Sequence, residues 1–137
     1  MREVFVYGTL RSALGHEMHR VLTHGARFIG DATVRGALYD LGAYPGLVTE
    51  GDDLERVSGE LYALEPDDAE VTLALLDAYE GCANSDPEPH EYRRAIVQVR
   101  FNDGSQRDAW TYVLSRSHAG LERIPGGDYV AWRRRRG

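Results

Sequence analysis

The sequence predicts an α+β fold in which a small, largely antiparallel sheet or barrel packs against helices. Two observations carry this prediction. Short strand-prone segments fill most of the chain, and the strongest hairpin signal, Asn102 to Ser105, separates two of them at 93–101 and 106–114. One well-marked helix, over residues 66–81, is inserted among the strands. With 137 residues, of which 42% are hydrophobic and 28% charged, the chain is expected to form a single domain over 1–137.

The first half of the chain contains three more elements in order. Residues 3–7 are strand-prone, and a short helical stretch follows at 16–23. The β-rich segment 27–41 is interrupted by Gly30 and Gly36. Such interruptions are typical of a bulge, or of a bend at a barrel corner, within one long strand.

The middle and the end of the chain complete the element order. Residues 56–64 alternate apolar and polar side chains, which predicts a half-buried strand. In the predicted helix, Pro66 suits the first position and Gly81 is placed to end it. Residues 126–137 begin with two glycines and carry a run of four arginines at 133–136, so they are expected to form a flexible basic tail.

Composition excludes several classes of protein. A net charge of −6 with a pI near 5.3 argues against general nucleic-acid binding, which needs a field of the opposite sign. The longest apolar runs are far shorter than the ~20 residues that cross a bilayer, so no membrane association is expected. The single cysteine, Cys82, cannot form an internal disulfide. We therefore expect a cytoplasmic protein, either a monomer or a weak homodimer.

Glu80 is the strongest candidate for chemistry. On the predicted helix, Ala69, Leu73 and Leu76 lie on the same face as Glu80. A carboxylate on an apolar face, at the negative end of a helix, should have a raised pKa, and a general acid/base requires such a pKa. The alternative is that Glu80 lies at a rim, where its side chain reaches water or pairs with one of the arginines at 93–94.

The segment VFVYGTLR, residues 4–11, is a candidate binding loop. Gly8 would let the backbone approach a ligand, and successive amides after a strand can hold a carboxylate or an oxyanion. The loop lacks the G-x-G-x-x-G and G-K-[ST] patterns, so nucleotides are not indicated. A plain turn is the alternative interpretation.

Two other groups of residues are weaker candidates for chemistry. The segment HEMH, His16 to His19, is one residue shorter than the H-E-x-x-H zinc motif, and polar residues on a surface helix explain it. Cys82 lies just past Glu80, but a nucleophilic thiol needs both a base and an activating positive environment, so Cys82 is expected to be a quiet, partly buried thiol. We expect no metal and no cofactor.

Five motifs together resemble the gamma-glutamylcyclotransferase family, and most closely its small AIG2-like, gamma-glutamylamine cyclotransferase-like branch. They occur in order over residues 3–115: Tyr7-Gly8-Thr9-Leu10-Arg11, Gly59-Glu60-Leu61-Tyr62, Leu76-Asp77-Ala78-Tyr79-Glu80-Gly81, Tyr92-Arg93-Arg94 and Trp110-x-Tyr112. The pairing of the first loop with the helix end is the specific part. The resemblance implies a small β-barrel with flanking helices.

The resemblance also implies a reaction. In this family the α-amine of a γ-glutamyl group attacks its own γ-carbonyl, which releases 5-oxoproline and the attached amine or amino acid. Glu80 matches the catalytic glutamate of the family, and residues 7–10 match the loop whose backbone amides hold the γ-glutamyl group. The residues expected to bind substrate are Tyr7, Gly8, Thr9, Leu10, Arg11 and Tyr112. The expected partner is the small γ-glutamyl substrate.

Two other functions stay open at this point. The same loop and barrel could form a non-catalytic module that binds a small carboxylate or regulates a partner, and a weaker interpretation is a hydrolase of another amide. The acidic segment 82–91 follows Glu80 directly, and its Glu88 and Glu91 lead to the hypothesis that the leaving group is cationic.

Overall fold

The computed structural model describes residues 2–8, 17–83 and 86–136, without the side chains of residues 17–19 and 21. This part of the chain forms seven strands and three helices: β1 (Glu3–Val6), α1 (Glu17–Gly25), β2 (Ala26–Asp40), β3 (Pro45–Val48), β4 (Glu55–Leu64), α2 (Ala69–Tyr79), β5 (Tyr92–Arg100), β6 (Gln106–Leu114), β7 (Glu122–Ile124) and α3 (Tyr129–Arg136). Among the described residues, no helix is long and apolar enough to cross a membrane.

Five strands close into a barrel, which confirms the predicted fold class. They follow the order β2, β4, β1, β6 and β5, and a pairing between β2 and β5 completes the ring. Only β1 and β6 run parallel, with Val4 opposite Trp110, and the other pairs are antiparallel. The predicted hairpin turn lies between β5 and β6, and it is closed by the Gly104 N–H, which donates to the Phe101 carbonyl at 3.0 Å.

Strand β2 carries both irregularities that its glycines predict. The register with β4 shifts between Phe28 and Gly30, which is the signature of a bulge. After Gly36 the strand changes partner from β4 to β3. A Cβ on Gly36 would lie 2.8 Å from the Val48 carbonyl oxygen, so the exchange requires glycine. The C-terminal end of β2 also pairs with β7, a strand that the sequence did not predict.

Two apolar clusters share the barrel wall. One fills the interior and includes Phe5, while the other lies between the wall and α1 and α2 and includes Leu22 and Leu76. Strand β4 serves both clusters, so the prediction that only one of its faces is buried is wrong. Glu60 and Tyr62 lie on the face opposite Leu61 and are only 5% and 2% exposed, because the helical layer covers that face.

Helix α2 ends as predicted, although it begins three residues later than predicted because residues 66–68 form a turn. Gly81 has a φ of +73°, and its N–H donates to the Ala78 carbonyl at 3.2 Å. The Cys82 N–H donates to the Asp77 carbonyl at 2.9 Å. This pair of bonds is a Schellman motif, which the left-handed glycine permits. It leaves Glu80 as the residue that caps the helix.

The prediction of a flexible basic tail over 126–137 is wrong for residues 129–136, which form α3. Asp128 caps this helix, since its Oδ1 accepts a hydrogen bond from the Ala131 N–H at 3.1 Å. Tyr129 and Trp132 are buried and stack on each other with ring centroids 6.0 Å apart. Apolar residues ahead of the arginines therefore anchor the helix, and the arginines occupy its last turn, where the helix dipole favours cations.

Candidate active site

A cavity at one end of the barrel brings the first loop and the end of α2 together. We call it the inner cavity. It is lined by Phe5, Val6, Tyr7, Gly8, Tyr44, Pro45, Glu80, Tyr92, Thr111 and Tyr112. Four of the predicted site residues therefore line one space, namely Tyr7, Gly8, Glu80 and Tyr112. The predicted contacts Thr9, Leu10 and Arg11 lie outside the described residues.

The environment of Glu80 favours its protonated form. Burial raises the pKa of this carboxyl group from 4.5 to about 7. The fully buried Leu76 precedes Glu80 by one turn of the helix, in line with the apolar face that the sequence predicts. Arg94, one of the arginines considered as a partner, instead pairs with Asp77, with 3.0 Å between Nε and Oδ1. The carboxyl group can thus hold or release a proton near neutral pH.

Tyr7, which follows β1, is hydrogen-bonded to β6 and to β3. Its hydroxyl donates a hydrogen bond to the Tyr112 carbonyl at 2.5 Å and accepts one from the Leu47 N–H at 3.3 Å. Burial raises the pKa of the Tyr7 hydroxyl well above its ordinary value, so the group stays protonated. These bonds occupy the hydroxyl, and what Tyr7 presents to the inner cavity is its ring and backbone.

Gly8 lies where the chain passes close to β3. A Cβ at this position would be 2.9 Å from Cγ of Pro45. Pro45 is itself held in place, because its carbonyl accepts a hydrogen bond from the Tyr92 hydroxyl at 2.5 Å. Glycine is therefore needed here for packing against Pro45, whatever the loop binds.

Tyr112 links the barrel wall to the last turn of α2. Its hydroxyl donates to Oδ1 of Asp77 at 2.6 Å. Arg94 pairs with the same Asp77 oxygen, and its guanidinium lies over the Trp110 ring at 4.4 Å from the centroid. This network fixes the end of α2 on β5 and β6 and thereby positions Glu80 at the inner cavity. The Tyr112 hydroxyl is engaged within the network.

Sequence reasoning missed several residues that line the inner cavity. Tyr44 and Pro45 come from the turn into β3, and Thr111 comes from the middle of β6, where its hydroxyl donates to the Phe5 carbonyl at 2.9 Å. No spacing rule connects these positions. For Tyr92, the only indication in the sequence was its place in the Tyr92-Arg93-Arg94 motif.

The described residues offer neither an activated thiol nor a metal site. Burial, followed by the charge of Asp77, raises the pKa of the Cys82 thiol to about 11, which makes it a poor nucleophile at neutral pH. Within the part of the chain that the structure describes, no group of three or more His, Cys, Asp or Glu side chains is placed to hold a metal ion. The side chains of HEMH lie outside that part.

The described residues thus form a closed five-stranded barrel with a largely buried carboxyl group, that of Glu80, in a cavity beside the end of its first strand. The family model described as "Gamma-glutamyl cyclotransferase, AIG2-like" matches residues 4–131. The chain belongs to this family, which confirms the resemblance carried by the motifs.

Relatives with assigned names and solved structures agree with this placement. A Vibrio cholerae protein named "Putative gamma-glutamylcyclotransferase" is 40% identical over 128 residues, which cover 92% of this chain and 93% of the relative. The crystal structure of a mouse AIG2-like protein superposes with a TM-score of 0.71 at 26% identity and covers 94% of this chain and 88% of the mouse chain. Bacillus subtilis YkqA matches with a TM-score of 0.67 at 25% identity over 93% of this chain, which spans only 39% of YkqA.

Proposed function

We propose that the protein is a gamma-glutamyl cyclotransferase that converts a γ-glutamylamine or a γ-glutamyl amino acid into 5-oxoproline and the free amine, with Glu80 as general acid/base. One observation carries the proposal. A carboxyl group whose pKa is raised to about 7 lines the same cavity as Tyr7 and Gly8, where the candidate loop begins. The name of the Vibrio cholerae relative supports the same reaction.

In the proposed reaction one bond forms, one bond breaks, and one side chain carries a proton between the two nitrogen atoms. The substrate's α-nitrogen bonds to its γ-carbon, and the bond between that carbon and the amide nitrogen breaks. The α-ammonium loses two protons in becoming the lactam N–H, and the amide nitrogen gains two in leaving as an alkylammonium ion. Glu80 accepts a proton from the attacking nitrogen and delivers one to the leaving nitrogen, and the second is exchanged through solvent.

The geometry provides what such a ring closure needs. An intramolecular attack that forms a five-membered ring depends on holding the reacting atoms in place and on moving protons. In the proposed enzyme, backbone groups that follow β1 hold the γ-glutamyl part, and Glu80 moves the protons. The network of Asp77, Arg94 and Tyr112 keeps the carboxyl group at the cavity.

A product assay tests the proposal directly. The protein is incubated with γ-glutamyl amines and γ-glutamyl dipeptides, and 5-oxoproline and the free amine are quantified. We expect the two products in equal amounts. Release of glutamate in place of 5-oxoproline would indicate a hydrolase, and binding without turnover would indicate a carboxylate-binding module.

The pH dependence of kcat/KM should report the raised pKa of Glu80. Glu80 must be deprotonated to accept the first proton, so kcat/KM should rise with pH and reach half its plateau near pH 7. An ordinary glutamate would give a midpoint near 4.5. The profile is measured with one γ-glutamylamine between pH 4 and 9. A midpoint that stays near 4.5 would contradict a buried catalytic carboxyl group.

A further inference from the structure

A second cavity adjoins the inner cavity at Glu80. We call it the outer cleft, and it is lined by Tyr44, Tyr79, Glu80, Gly81, Glu91 and Tyr92. Tyr44, Glu80 and Tyr92 line both spaces. Tyr7 and Gly8 line only the inner cavity. Glu80 therefore lies between a space next to the candidate loop and a separate space lined by three tyrosines and a second carboxylate.

Glu91 is held at the wall of the outer cleft. Its Oε1 accepts a hydrogen bond from the Tyr44 hydroxyl at 2.6 Å, and its Oε2 lies 3.3 Å from the guanidinium of Arg116. The Arg116 side chain is half exposed and does not line the outer cleft. The six described residues that line the cleft include two carboxyl groups and no cation. The field inside the cleft thus favours a positively charged ligand.

The position of the cleft relative to the reaction suggests its occupant. This step rests on the proposed function: the γ-glutamyl part lies in the inner cavity and its γ-carbonyl is next to Glu80. The chain of the leaving amine then extends from Glu80 on the side away from Gly8, and that side is the outer cleft. Tyrosine rings pack well against an alkyl chain and attract a cation over their faces.

We infer that the outer cleft is the leaving-group subsite and that Glu91, oriented by Tyr44, selects leaving amines that carry a second, positively charged group at their far end. The substrate class is a γ-glutamyl derivative of a diamine. A leaving group that ends in a carboxylate is disfavoured, because it would approach Glu91 and would meet no cation among the described residues that line the cleft. Glu88, also acidic and in the same segment, is exposed and does not line the cleft.

Three substrates of equal length test this inference. They are the γ-glutamyl conjugates of 1,5-diaminopentane, 1-aminohexane and 6-aminohexanoate, whose far ends are positive, neutral and negative. We expect kcat/KM for release of 5-oxoproline to fall in that order, by about twofold to fivefold per step, as expected for one partly exposed ion pair. Glu91→Gln should reduce the ratio between the first two substrates to about one.

Two further variants make the test specific. Glu88→Gln removes an acidic charge from the same segment outside the cleft and should leave the ratio unchanged. Arg116→Gln removes the cation that partly neutralises Glu91 and should raise the ratio about twofold. Equal rates on all three substrates, or the same loss of selectivity in Glu88→Gln as in Glu91→Gln, would overturn the inference and leave the proposed function intact. If none of the three releases 5-oxoproline while a γ-glutamyl dipeptide does, the inference fails and the proposed function stands; if no γ-glutamyl substrate releases it, both fail.

Discussion

Replacing Glu80 with glutamine should lower kcat/KM for 5-oxoproline formation by about 10²-fold to 10⁴-fold, the range by which general acid/base groups accelerate reactions. Glutamine keeps the size and much of the polarity of the side chain but cannot accept and return a proton. The loss should be largest at pH 8 to 9 and should shrink toward pH 5, because the wild-type rate falls as Glu80 becomes protonated whereas the variant has no titrating group at this position. Activity is measured with the γ-glutamyl amine that gives the fastest turnover.

Two controls separate a loss of chemistry from a loss of fold. Glu70→Gln changes an exposed carboxylate on the same helix and should retain full activity. Stability offers the second control, because a carboxyl group with a raised pKa in the folded state lowers the free energy of unfolding as pH rises from about 4.5 to about 7. Glu80→Gln avoids that penalty, so at pH 8 urea denaturation should find it at least as stable as the wild type. Undiminished turnover by Glu80→Gln would rule out Glu80 as the general acid/base.

Replacing Gly59 with alanine should destabilise the barrel by about 3 kcal/mol, near the upper end of what overpacking costs. A Cβ at this position would lie 2.4 Å from the carbonyl oxygen of Val6 and 2.4 Å from Cζ of Phe5. The Val6 oxygen cannot move away easily, since Val6 pairs with Glu60 in the β1–β4 ladder. The strands must separate where β1 leads into the candidate loop, so activity should fall as well. The measurement is the urea midpoint at constant m-value.

Gly30→Ala is the matched control for this effect. Gly30 also lies in a barrel strand, but its added Cβ would be 3.6 Å from the Phe101 ring, which is an ordinary contact distance. We expect its free energy of unfolding to change by less than about 0.5 kcal/mol. Similar losses in both variants would mean that removal of glycine in general, and not the close approach of β1, limits stability.

The features predicted well are those with a local cause. The hairpin loop around Gly104 and the helix end at Gly81 both depend on a residue that adopts a positive φ. Glycine adopts such a conformation readily, so its presence in the sequence indicates these positions. The bulge between Phe28 and Gly30 also has a local cause, since a glycine that interrupts a strand pattern is typical of a bulge. The face of α2 that carries Glu80 follows from helical periodicity, so the raised pKa of its carboxyl group could be anticipated.

The features predicted poorly depend on what packs against a segment. The four arginines near the end of the chain led to the prediction of a flexible tail. Tyr129 and Trp132 instead pack in the apolar cluster inside the barrel, and this packing anchors the helix that carries the arginines. Tyr62 belongs to a strand that was predicted to be half-buried, but α1 and α2 also cover its second face. In both cases the burial is supplied by residues distant in the chain.

The sequence by itself determined the fold class, the family and the candidate proton carrier Glu80, because turn residues, periodicity and short motifs are read over a few neighbouring positions. Only the tertiary structure decided that Tyr44, Tyr92 and Glu91 surround that carboxyl group, and that an inner cavity and an outer cleft meet there. These residues converge because β3 pairs with the far end of β2 and because β5 closes the barrel against the same strand. Such long-range pairing depends on the whole set of strands, and no local pattern encodes it.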